Sequence, residues 1–154
     1  MPAPGIGQPD ALPFLQFQLT NVTATEVGGI APSVVLPAGA SFTLQTDLGV
    51  NGLFAGLLVG DVLAVVHHVE NIETGTRQSL GGGTITVPNP PTSFSSTAGP
   101  FTTADTGGAA DLVIPAGFDA GTFRFLTHIH HTAPAKKHIV AAFHDQLIVM
   151  VTKP

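Results

Sequence analysis

The chain has no cysteine, no tryptophan and no tyrosine, and only 10% of its 154 residues are charged. Without cysteine there are no disulfides, no thiolate metal centre and no Cys nucleophile. Five basic residues stand against ten acidic ones, a formal charge of −5, so a phosphate backbone finds little to hold and nucleic acid is not an expected partner. Long apolar runs are also missing. The most apolar stretch, Leu53 to Val69, is broken by Gly56, Gly60 and Asp61 and runs into His67 and His68, so no membrane span is expected. The first residues lack the basic start and apolar run of a signal peptide. The cytoplasm is the default location, and secretion by a signal-less route stays open.

What is present is a composition suited to a core: 44% hydrophobic residues, with 18 Gly and 13 Pro as punctuation. A chain of this length buries roughly two-thirds of its unfolded surface, enough for a core without covalent staples. Residues 1–13 carry proline at positions 2, 4, 9 and 13 and are expected to form an extended arm. Residues 14–154 are expected to form a single domain.

Helical spacing is nearly absent, and the dominant period is two. Leu15, Phe17 and Leu19 alternate with Gln16, Gln18 and Thr20, and Phe42, Leu44 and Leu48 alternate with Thr43, Gln45 and Asp47. Further strands are expected near 30–36, 61–70, 84–87, 111–114, 121–131 and 138–151. Turns are expected at Gly28-Gly29, Val50-Asn51-Gly52, Gly81-Gly82-Gly83 and Thr106-Gly107-Gly108, and one long irregular loop over 87–101. This pattern predicts an all-β, two-layer antiparallel β-sandwich of immunoglobulin-like order, with a closed β-barrel as the alternative. The segment Val35-Leu36-Pro37-Ala38-Gly39 is echoed by Val113-Ile114-Pro115-Ala116-Gly117, and both precede long strands, which reads as one turn used twice.

The seven histidines are the pointed chemical feature. On strand 123–131, Phe123, Phe125 and Ile129 supply a core face, so Arg124, Leu126, His128 and His130 share the opposite one. On strand 138–151, Ile139, Ala141, Phe143 and Leu147 are expected inward, which leaves His138, Val140, Ala142 and His144 outward. With Leu63, Val65 and Val69 inward on strand 61–70, His68 and Glu70 join that outer face; both faces of this strand are apolar, and in the opposite phase His67 takes the place of His68. In immunoglobulin-like order the third, sixth and seventh strands adjoin, so three histidine-bearing strands would align.

A His-x-His pair on a strand projects two imidazoles side by side, a geometry that can chelate Zn or another divalent transition metal. The candidate ligands are His128, His130, His138, His68 and Glu70. No known His-x-His pattern is completed, since no Glu follows at the cupin spacing and the copper–zinc superoxide dismutase and blue copper patterns need cysteine. A nucleophile elbow, a phosphate-binding Gly-Lys-Ser/Thr and a calcium loop are likewise missing. Asp105, Asp111 and Asp119 sit in turn-rich surroundings and read as turn residues.

Few charges leave an exterior rich in Thr, Ser, Gln and apolar side chains, a surface that invites association. The expected function is therefore a non-catalytic structural or protein-interaction module with no resident cofactor, pairing with itself or another protein. Leu126, Val140, Ala142 and His144 are the candidate interface. A metal-binding module is the alternative, and an enzyme stands behind both. Protonating all seven histidines moves the formal charge from −5 to +2, so association through these rings is expected to weaken in acid.

Overall fold

The structure, a computed structural model, describes residues 14–136 and 141–153. Eight strands follow one another: β1 (Gln16–Glu26), β2 (Val35–Pro37), β3 (Ser41–Asn51), β4 (Val62–Asn71), β5 (Arg77–Thr86), β6 (Phe94–Thr102), β7 (Ala120–His131) and β8 (Ala141–Thr152). They form a β-sandwich. One sheet has the order β1-β3-β6 and the other β2-β8-β7-β4-β5, the latter curling as a half-barrel. All pairings are antiparallel except the short β2, which runs parallel to β8. The described strands close into two separate sheets with free edges, not into a single barrel. Among the described residues no helix is long and apolar enough to cross a membrane.

The period of two explains the layering. On β4 and β7 every second residue is buried, from Leu63 to Asn71 and from Gly121 to His131. Two apolar clusters fill the space between the sheets. One gathers Leu36, Phe42, Leu44, Val69, Phe125, Val149 and their neighbours, with Phe42 and Phe125 meeting edge to face at 6.0 Å and Phe101 tilted against Phe42 at 5.7 Å. The other gathers Leu48, Val50, Leu58, Leu63, Val65, Val87 and Ile129.

The repeated Pro-Ala-Gly segment is one turn used twice. The Ala40 N–H donates to the Pro37 carbonyl and the Phe118 N–H to the Pro115 carbonyl, both at 3.2 Å. Gly39 and Gly117 take φ of 92° and 88°, the left-handed values that the third position of a type II turn requires.

Five local expectations are corrected. The glycines at 81–83 lie inside β5, where a bulge between the His67–Gly81 and His68–Ser79 pairs carries the strand past β4. Strand β6 occupies much of the segment expected to be an irregular loop; its Ser, Thr and Pro content masks it, but as an edge strand it needs few apolar side chains. The stretch 111–114 is not a strand, although Leu112 is fully buried, and of 30–36 only Val35 and Leu36 lie in one, β2.

The fifth correction bears on the site. Between the Phe125–Leu147 and Thr127–His144 pairs the register of β8 slips by one residue, leaving Asp145 and Gln146 against Leu126. Such a bulge inverts the faces of everything beyond it. Ala142 therefore packs on the second apolar cluster and His144 aligns with the inward Thr127, while Phe143, expected in the core, is 62% exposed.

Gly82 shows how closely the strands approach. A Cβ there would run into the Val65 carbonyl oxygen. Gly82→Ala is expected to displace β5 from β4 and to cost about 1–3 kcal/mol, read as a lower urea midpoint.

Candidate functional site

The pairing of β4 with β7 assembles the histidines. It runs unbroken from Leu63–His131 to Asn71–Phe123, so the three outward rings on these strands fall on neighbouring positions. His68 and His128 stack with centroids 5.6 Å apart and planes 12° from parallel, and His128 and His130 stack at 5.6 Å and 21°. Around them lie Leu126, which is opposite His68, Val66, which is opposite His128 on β4, and Phe143, which is opposite His128 on β8. A shallow cavity of about 360 Å³ adjoins this row, lined by His68, Leu126, Arg77, Gln78 and Ser79.

Glu70 sits at the end of this face in a cross-strand ladder. Its Oε1 accepts from Arg124 Nη2 at 2.9 Å and its Oε2 from Arg77 Nε at 3.2 Å. The hydrogen bonds from Arg124 and then Arg77 outweigh partial desolvation and hold the carboxyl below its usual range. Both oxygens are thus engaged by guanidinium groups.

Of the five candidate metal ligands, the structure brings His68, His128 and His130 together and places Glu70 on the same face. His138 lies outside the described residues, as does the interface candidate Val140. Nearly parallel rings direct their nitrogens side by side instead of toward one point, and no group of three His, Asp or Glu among the described residues is arranged to hold a metal ion. Partial burial lowers the His128 pKa, and the adjacent His130 and His68 lower it further, so this ring favours the neutral form.

Leu126 faces outward as expected, whereas Ala142 and His144 do not, for the bulge given above. Adjacent residues on a strand point apart, and both His-His pairs obey this. His67 and His131 are buried while His68 and His130 face out.

The two inward rings have separate roles. His131, at the end of β7, places Nε2 2.8 Å from Asp61 Oδ2, while the Ala133 backbone N–H donates to its Nδ1 at 3.0 Å. Since a backbone N–H can only donate, Nδ1 accepts and Nε2 carries the proton that Asp61 receives. Both nitrogens are used, so no lone pair remains for general-base chemistry, and the pair fastens the end of β7 to the start of β4. Asp61 and His131 are 70 residues apart, and only the β4–β7 register brings them together; no local sequence signal marks them.

His67 is fully buried, with Nδ1 2.8 Å from Thr127 Oγ1. Desolvation, then the nearby His128 and His68, push its pKa down from 6.5 to about 4. Asp111, expected as a turn residue, is one. Desolvation pushes its carboxyl up, but the Thr106 hydroxyl and the N–H groups of Thr106, Gly108 and Gly107 outweigh it, and the pKa is lowered.

No protein-family model matches the chain, and no curated protein matches it.

The buried His67 fixes a pH dependence. Its folded pKa lies below the unfolded value, so the unfolded chain binds the extra proton first and the stabilisation is complete above about pH 6.5. It is lost progressively as pH falls from about 6.5 to about 4, a change of about 3 kcal/mol at about 1.36 kcal/mol per pKa unit. Urea denaturation across this range is expected to show that decline, and His67→Leu to flatten it.

Proposed function

We propose that this protein is a non-catalytic, immunoglobulin-like interaction module that self-associates through the outer face of its five-stranded sheet. The reading is supported by the adjacency of β4, β7 and β8 in one sheet, the arrangement of the third, sixth and seventh strands in that class of sandwich. The observation that carries the association is the composition of that face. Val35, Phe143, Ile148 and Met150 are 43–62% exposed on β2 and β8, next to Leu126, Val66 and the stacked imidazoles.

A second copy suits this surface. An apolar stripe is complementary to itself and asks for no opposite charge in its partner, as a two-fold interface requires. The one carboxylate in the ladder is already matched by two arginines. Four long strands about 4.8 Å apart, each about ten residues at about 3.3 Å, give a face on the order of 600–700 Å². That approaches the roughly 800 Å² per partner of a stable interface.

Native mass spectrometry and sedimentation of the full chain are expected to show a dimer, and a monomer at high concentration would refute the reading. Phe143→Lys places a charge in the middle of the stripe and is expected to weaken dimerisation at least about tenfold without unfolding the sandwich, because the side chain is already exposed.

Acid supplies a further check. His128 stacks between His68 and His130 at 5.6 Å, and burial together with these two neighbours lowers its pKa from 6.5, so its protonation places a charge in the middle of the row only once the pH falls below that value. The dimer is expected to weaken as the pH falls below about 6.5, as seen by sedimentation, and His128→Gln to remain associated at the lower pH.

A further inference from the structure

A polar layer crosses the core between its two apolar clusters. On β4, His67 lies between Val65 of one cluster and Val69 of the other. Thr127 on β7 lies between Ile129 and Phe125, and Thr46 on β3 of the opposite sheet lies between Leu48 and Leu44, divided in the same way. On β8, His144 is paired with Thr127 and stands between Ala142 and Leu147. Four polar side chains from both sheets thus share one level of an otherwise apolar interior, and Thr46, His67 and Thr127 are fully buried there.

Within this layer His67 Nδ1 and Thr127 Oγ1 bond each other at 2.8 Å. Thr46 Oγ1, His67 Nε2 and His144 Nδ1 are shielded from solvent and have no hydrogen-bond partner among the described residues. The fourth atom of this kind, Arg124 Nε, belongs to the opposite face of β7. Buried polar atoms are rarely left bare, and three from three strands at one level indicate a shared partner.

We propose that this layer is an internal binding site for a small neutral molecule that both donates and accepts hydrogen bonds, namely water, held by His67 Nε2, Thr46 Oγ1 and His144 Nδ1. Its chemistry follows from the donors. A neutral imidazole offers one N–H and one lone pair, so whichever role Nδ1 takes toward Thr127, Nε2 takes the other, and water answers either. Three protein partners is the usual coordination of a buried water. A metal ion fits poorly, because the layer holds two imidazoles and no carboxylate to offset buried charge. By joining Thr46 on one sheet to His67 and His144 on the other, the bound water bridges the sandwich.

Thr46→Val tests the site, since it removes the hydroxyl while keeping the side chain's shape. A hydroxyl bonded to a retained water is lost at a cost, so the urea midpoint of the full chain is expected to fall. A hydroxyl with no partner is better replaced by a methyl group, so an unchanged or higher midpoint overturns the proposal. A crystal structure of the full chain that resolves ordered solvent is expected to show one water within about 3.2 Å of His67 Nε2 and of Thr46 Oγ1 or His144 Nδ1. Direct contact between these side chains, a metal ion, or no density in the layer overturns it.

Discussion

The unbroken antiparallel ladder between β4 and β7 is the constraint on which the rest depends. Nine consecutive residue pairs, from Leu63–His131 to Asn71–Phe123, lock the two strands in one phase. A slip of one strand by one residue would exchange its faces, putting His68 into the core and Val65 and Val69 into water if β4 moved, or His128 and His130 into the core and Phe125 into water if β7 moved. The apolar side chains on the inner face make that slip costly. The same ladder sets the ion pairs at one end, where Glu70 meets Arg124, and the Asp61–His131 bond at the other.

Three environments on adjacent strands give one residue type three behaviours. The outer rings of His68, His128 and His130 stack beside one another at the surface. His131 is fixed in one tautomer by a backbone donor and a carboxylate, and serves as a fastening. His67 is kept neutral because the interior penalises its charged form and the rings on the other face of the sheet add to that penalty. Burial and neighbouring charge, not residue identity, assign these roles.

Sequence periodicity reached most of this arrangement. Alternation on strand 121–131 has one solution that buries Phe123, Phe125 and Ile129, so the outward set of Leu126, His128 and His130 followed from elementary geometry, whereas strand 61–70 is apolar on both faces and only its pairing with β7 chose His68 and Glu70 over His67 for the outer side. The same logic failed on β8. It assumes an uninterrupted strand, and the extra residue opposite Leu126 exchanged Phe143 for Ala142 and His144. Nothing in Phe143-His144-Asp145-Gln146 announces a bulge, because the slip is set by what β7 offers across the ladder.

The sequence by itself determined the class of fold and the phase of strand 121–131, because a period of two with frequent turn residues admits little else in a chain without helical spacing. It also determined the doubled Pro-Ala-Gly turn and the chemical character of the outer face. Tertiary structure alone decided which polar groups meet. Asp61 finds His131, and Thr46 shares a level of the core with His67, Thr127 and His144, through contacts between residues distant in the chain. Those contacts depend on register and sheet packing, which are properties of paired strands and are not written in either strand alone.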